Sequence, residues 1–256
     1  MTVPVCPSPA HRAPPTLLAV AHGTRDAEGV AVAEALVARV RALRPGLRVE
    51  RCFLGLAAPS LPEALARLSG EVVVVPLLLG AGYHVRVDIP GALAAAPHLR
   101  ARTARALGPD PLLAEALTCR LADAGWRAGD GPVVLAAAGS TDPDANSGTA
   151  AMASLLRERL PGPYGVVPAC LGGDGPTPAE AVAALRSDGH SRVAVAEYLL
   201  APGFFARRAA RSGACLTSAP LGTHDALARL VALRYDEARR TGHQPRGLLT
   251  RSGRIT

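Results

Sequence analysis

The chain repeats itself, and that constrains its fold more than any other feature. AHGTRD at 21–26 can be laid over AAGSTD at 137–142, which sets His22 on Ala138 at an offset of 116. Pro59, Ser60 and Glu63 pair in the same way with Pro176, Thr177 and Glu180, and Leu107-Gly108 with Leu221-Gly222. A longer match lays VPLLLGAGYHVR at 75–86 over AEYLLAPGFFAR at 196–207, placing His84 opposite Phe205 and Arg86 opposite Arg207. A single hexamer could coincide by chance, but a series at nearly one offset means internal duplication.

The repeated unit alternates short apolar or β-branched runs with longer helical patterns: 16–21, then 28–43, then 47–53. That order predicts βαβ units and a parallel sheet. It continues with a helix near 61–68, a strand at 72–79, a short helix near 89–95, a strand within 98–107 and a helix at 111–124. Four turn-forming residues, Gly129-Asp130-Gly131-Pro132, then interrupt the chain, and the pattern restarts at Val133. The fold class expected is α/β, in two duplicated domains at 16–128 and 132–240, each a parallel sheet flanked by helices. Residues 1–15 and 241–256 are expected to be loose termini.

Composition excludes several functions. All 28 basic residues are arginine and the net charge is +7, yet aromatics make up only 3% and the arginines are scattered through helices. There is no platform for stacking bases, so no nucleic acid partner is expected. Cys6, Cys52, Cys119, Cys170 and Cys215 lie far apart with no Cys-x-x-Cys pair, which suits free thiols in a reducing cytoplasm better than zinc or redox chemistry. The greasiest run, 72–82, contains Pro76 and two glycines, so no membrane span is expected. The proline-rich start lacks the basic and apolar regions of a secretory signal.

Nucleotide chemistry also fails on the residues. GTRDAEG after the first strand carries neither the Walker lysine nor G-x-G-x-x-G, the 172–175 glycine loop lacks the pattern that should follow it, and no G-x-S-x-G elbow occurs. What remains is a pair of histidines. In open parallel sheets, function collects beyond the carboxyl ends of strands, and His22 and His84 each follow such an end within the first half. Each sits in a glycine-flanked loop, with Gly23 after His22 and Gly80 and Gly82 before His84, where backbone can approach a flat ligand closely. Neutral imidazole suits iron, cobalt, nickel and zinc, and can also accept a proton. Either histidine alone would be read as a turn residue; together they could face one crevice. The positions opposite them, Ala138 and Phe205, keep no imidazole. His11, His98, His190, His224 and His243 form no ligand-spaced set.

His22-Gly23 together with Gly82-Tyr83-His84 and Asp88-Ile89-Pro90, joined by AHGTRD and PSLPEAL, resembles the sirohydrochlorin chelatase family, the class II chelatases, over nearly the whole chain. The second-half APGFFARR resembles long bacterial members with two fused domains, one of which keeps its histidines. The resemblance implies ATP-independent insertion of Fe2+ or Co2+ into a polycarboxylated tetrapyrrole, sirohydrochlorin, in a cleft between two α/β domains. By the same resemblance, the reaction would serve siroheme or cobalamin synthesis. The resemblance makes His22 and His84 the catalytic, metal-holding pair. Carboxylates of such a tetrapyrrole would be met by arginines at the cleft mouth, and the candidates are Arg25, Arg86 and Arg207, each within three residues of a histidine or its repeat equivalent, with Tyr83 beside His84. A divalent metal, Fe2+, Co2+ or Ni2+, would be a substrate and not a permanent cofactor, and the fused domains would act as a monomer. One departure stands out. Relatives commonly carry an acid two positions after Phe53, where this chain has Gly55, and neither Glu50 nor Glu63 occupies that place. A non-catalytic tetrapyrrole or metal carrier is the competing reading, and a degenerate interaction protein a third, favoured if the imidazoles lie far apart.

Overall fold

A computed structural model describes residues 13–139 and 143–241. Most of both expected loose termini, with Cys6, His11 and His243, and the second half of the repeated hexamer at 140–142, lie outside the described residues. The first half runs β1 (Thr16–Ala21), α1 (Ala27–Leu43), β2 (Val49–Phe53), α2 (Leu61–Ala66), β3 (Gly70–Leu77), a π-helical turn (His84–Asp88), α3 (Ile89–Ala94), β4 (Leu99–Thr103) and α4 (Pro111–Asp123). The second runs β5 (Val133–Ala137), α5 (Pro143–Arg159), β6 (Val166–Cys170), α6 (Pro178–Ser187), β7 (Ala194–Tyr198), α7 (Phe204–Ala209), β8 (Leu216–Thr217) and α8 (Asp225–Thr241).

Both halves form four-stranded parallel sheets of one topology, β2-β1-β3-β4 and β6-β5-β7-β8. The register repeats as well. Ala21 stands opposite Phe53 and Leu77, and Ala137 opposite Cys170 and Tyr198, so Leu77 and Tyr198 are equivalent. Local details recur at the aligned positions. Ser60 and Glu63 close a capping box on α2, as Thr177 and Glu180 do on α6. Leu107 N donates to Leu78 O in the first half, and Leu221 N to Leu199 O in the second.

Period-two alternation puts the two faces of each strand into different cores. Leu17, Ala19 and Ala21 of β1, with Val133, Leu135 and Ala137 of β5, enter one central core filled by α1, α4, α5 and α8. Leu18 and Val20 face a second cluster under α2 and α3, while Val134 and Ala136 face a third under α6 and α7. The four long helices therefore lie between the sheets and the short ones outside.

The last helix of each half crosses over: α4 packs on α5 and β7, whereas α8 packs on α1, β3 and β4. The repeat offset carries no trace of this exchange. Arg234 of α8 is fully buried and donates to Ala106 O at 3.0 Å, Leu107 O at 2.7 Å and Asp110 Oδ2 at 2.8 Å. Asp110 in turn caps α4 through Leu112 N. Such a buried charge is tolerated because each guanidinium nitrogen has an acceptor, Nη1 reaching Glu237, and removing one partner typically costs about 3–5 kcal/mol. Ion pairs of Arg39 with Asp225 and Arg44 with Asp236 tie α1 to α8 at the surface. No described helix is long and apolar enough to cross a membrane.

Candidate functional site

In the order β2-β1-β3-β4 the connections reverse direction between β1 and β3, and ligands in open α/β sheets bind beyond the carboxyl ends at that switch point. His22 is the first residue after β1. The backbone there is pinned from the loop after β2: Leu54 N donates to Ala21 O at 3.0 Å and Gly55 N to His22 O at 3.2 Å. Gly23 follows with φ +92°, and a Cβ there would stand 1.7 Å from Gly55 O. Glycine is required on both counts, steric and conformational. The loop after β3 reaches His84 through Gly80-Ala81-Gly82-Tyr83, and His84 opens a π-helical turn, a distortion often found at functional sites.

The two imidazoles meet. Their ring centroids lie 4.7 Å apart with planes tilted by 53°, so one ion can take a nitrogen from each ring. His84 Nδ1 is 2.5 Å from Asp88 Oδ2. A carboxylate accepts only, so Nδ1 carries the proton and Nε2 presents its lone pair, the arrangement by which metal-binding histidines are usually oriented. Burial, with a smaller contribution from neighbouring His84, lowers the pKa of His22 below its usual value, keeping the imidazole neutral at pH 7.

The pair lies on the wall of a cavity of about 710 Å3 shared by both halves, lined by His22, Tyr83 and His84 from one and by Tyr198, Phe204 and Phe205 from the other. Tyr83 and Phe204 are about two-thirds exposed at its mouth, beside exposed Leu56, which has φ 63°. These walls suit the apolar faces of a broad, flat ligand. None of the three candidate arginines lines the cavity: Arg25 and Arg86 are exposed, three residues from His22 and two from His84 in sequence. Arg207 reaches across from α7 to Asp26 at 3.1 Å, and Asp26 also caps α1, so its guanidinium begins in an ion pair between the halves.

At Gly55, two positions after Phe53, the chain offers backbone alone. Glu50 pairs with Arg48 and Glu63 caps α2, so neither supplies a carboxylate there. Among the described residues no cluster of three or more His, Cys, Asp or Glu could hold a metal ion. The second half preserves the cradle without the ligands: Gly139 has φ +84°, its Cβ would lie 1.7 Å from Gly172 O, and the Phe205 ring comes within 3.7 Å of the Cβ position at Gly172. Sequence reasoning quoted Asp88 only as part of a motif, although its spacing of four from His84 signalled the contact. It missed Tyr198 altogether, since a strand tyrosine opposite a leucine carries no signal.

Two duplicated parallel-sheet halves enclosing a cleft, with paired histidines at one switch point, make this a duplicated α/β protein with a candidate metal and ligand site in the cleft. The CbiX family model matches the chain twice, over 16–124 and 132–238, and the chain belongs to the CbiX family. A sirohydrochlorin cobaltochelatase of Priestia megaterium is 29% identical over 206 residues, spanning 75% of this chain and 66% of that protein. A sirohydrochlorin ferrochelatase of Bacillus subtilis (strain 168) is 30% identical over 195 residues, 73% of this chain and 74% of the relative. The solved structure of SirB from Bacillus subtilis with Fe3+ superposes with a TM-score of 0.76 at 26% identity, covering 90% of this chain and 97% of that one.

Proposed function

We propose that this protein inserts a divalent metal, Fe2+ or Co2+, into sirohydrochlorin without ATP, as a monomeric cytoplasmic enzyme of siroheme or cobalamin synthesis. The observation that carries the reading is the contact of His22 and His84 inside one ligand-sized cavity. The names of the relatives point to the same reaction.

Insertion exchanges one M2+ for two pyrrole N–H protons. His22 and His84 Nε2 hold the incoming ion beside the macrocycle. As the ion moves to the pyrrole nitrogens, the vacated imidazoles accept the expelled protons, which neutral rings near pH 7 can do. Two protein ligands leave the other coordination positions open for that transfer, whereas a storage site is usually closed. This favours the enzyme over a carrier. Tyr83 and Phe204 face the ring, Arg25 and Arg86 meet peripheral carboxylates by charge-assisted hydrogen bonds, and Arg207 joins them by leaving Asp26. The four described cysteines are free, as suits a reducing compartment.

Purified protein mixed with sirohydrochlorin and each of Fe2+, Co2+ and Ni2+ tests the proposal. Loss of the free-base absorption should run faster than the uncatalysed insertion for at least one of these metals. Tight tetrapyrrole binding with no acceleration by any metal would move the carrier reading ahead.

A further inference from the structure

Tyr198 is the one polar residue among the named aromatic walls of the second half. It is buried at the end of β7, lines the cavity, and donates its hydroxyl to Leu79 O at 3.1 Å. Leu79 belongs to the other half and begins the stretch Leu79-Gly80-Ala81-Gly82-Tyr83 that carries His84. Glycine-rich backbone of this kind has no preferred path of its own, and its position must come from its contacts. The neighbouring residue is held from elsewhere: Leu78 O accepts from Leu107 N, and Leu107 O accepts in turn from buried Arg234. Gly108 completes the packing, since a Cβ there would lie 1.9 Å from the Tyr198 hydroxyl and 2.6 Å from Leu79 O. In the register of the repeat the equivalent of Tyr198 is Leu77, so the hydroxyl belongs to the half without the histidine pair and acts on the half that carries it.

We infer that Tyr198 is a positioning residue for metal transfer: through Leu79 O it fixes the loop that aims His84 into the cleft, which makes the second half a working part of the site and more than a wall. The inference rests on the reading of His84 as a metal ligand. Burial pushes the Tyr198 phenol above its ordinary pKa, so it stays a neutral donor through the assay range and takes no part as a base.

Tyr198→Phe keeps the ring and deletes the donor. With Co2+ alone as the probe, the visible spectrum of the bound ion should shift, since imidazole orientation sets the ligand field. Turnover of sirohydrochlorin with Co2+ should show kcat reduced about three- to tenfold, the scale one neutral hydrogen bond supports, with KM for the tetrapyrrole within about twofold. Gly108→Ala presses on both partners of the same hydrogen bond, the Tyr198 hydroxyl and Leu79 O, and should reproduce both effects, and the double variant should be no worse than the poorer single one; Gly108→Ala carries the test if Tyr198→Phe fails to fold. A wild-type spectrum and kcat in both single variants, while His84→Ala alters both, would overturn the inference and leave the site reading standing. If His84→Ala itself left the Co2+ spectrum unchanged, the site reading would fall and this inference with it.

Discussion

Asp88→Asn is the most informative small change at the site. It preserves shape and hydrogen-bonding reach while replacing an obligatory acceptor with a group that can also donate. In the wild type the carboxylate 2.5 Å from His84 Nδ1 fixes the proton there and frees Nε2. An asparagine that turns its NH2 toward the ring stabilises the opposite tautomer, with Nε2 protonated and unable to bind metal. Loss of such an orienting partner typically costs about 10–100-fold in metal affinity. Both side chains are 40% exposed, so water competes for the contact and the lower end applies: about tenfold, or about 1.4 kcal/mol. Calorimetric titration of wild type and variant with Co2+ at pH 7.5 measures it, with thermal melts to show that the fold is intact. A Co2+ Kd within twofold of wild type would refute the argument that Asp88 sets the tautomer of a metal ligand.

Three further outcomes follow from the same geometry. Gly23→Ala and Gly139→Ala place a methyl group in the same clash, 1.7 Å from a facing carbonyl at positive φ, so both should lower the melting temperature by several degrees, and only Gly23→Ala should abolish turnover; equal activity in the two would separate the His22 loop from catalysis. Glu197 is 3% exposed, its Oε2 lacks a partner among the described residues, and burial raises its pKa from 4.5 to about 7. Between those values the unfolded chain releases the proton and the folded chain keeps it, so this carboxyl's contribution to stability falls as pH rises from 4.5 to 7, by about 3 kcal/mol in all. Glu197→Gln should therefore gain about that much over wild type between pH 4 and pH 8 in urea melts, and parallel curves would contradict the burial. Arg86→Ala should raise KM for the tetrapyrrole with kcat nearly unchanged, because a contact to a peripheral carboxylate acts equally before and during metal transfer; a selective loss of kcat in steady-state turnover would give Arg86 a different role.

The architecture was legible because duplication doubled every signal. The strand at 16–21, the restart at Val133 and the capping pairs Ser60/Glu63 and Thr177/Glu180 each fell where the alternation and offset put them. The histidine pair was legible by asymmetry, since the repeat set His22 against Ala138 and His84 against Phe205. What stayed hidden was long-range. The exchange of α4 and α8 leaves no periodicity to read, because an apolar helix face is the same whichever sheet it covers. Arg207 sat opposite Arg86 in the repeat, but its partner Asp26 lies 181 residues away in sequence. Tyr198 likewise acts on a loop 119 residues earlier, and no local pattern encodes such a distance.

The account stands most directly on the two imidazoles acting during metal transfer and not in holding the tetrapyrrole. His22→Ala and His84→Ala, each assayed at pH 7 to 8 for turnover of sirohydrochlorin with Co2+ after subtraction of the uncatalysed insertion, and for tetrapyrrole Kd, measure both properties in one protein. Turnover should collapse in each variant while Kd changes little. Turnover at the wild-type rate in either variant would contradict the assignment.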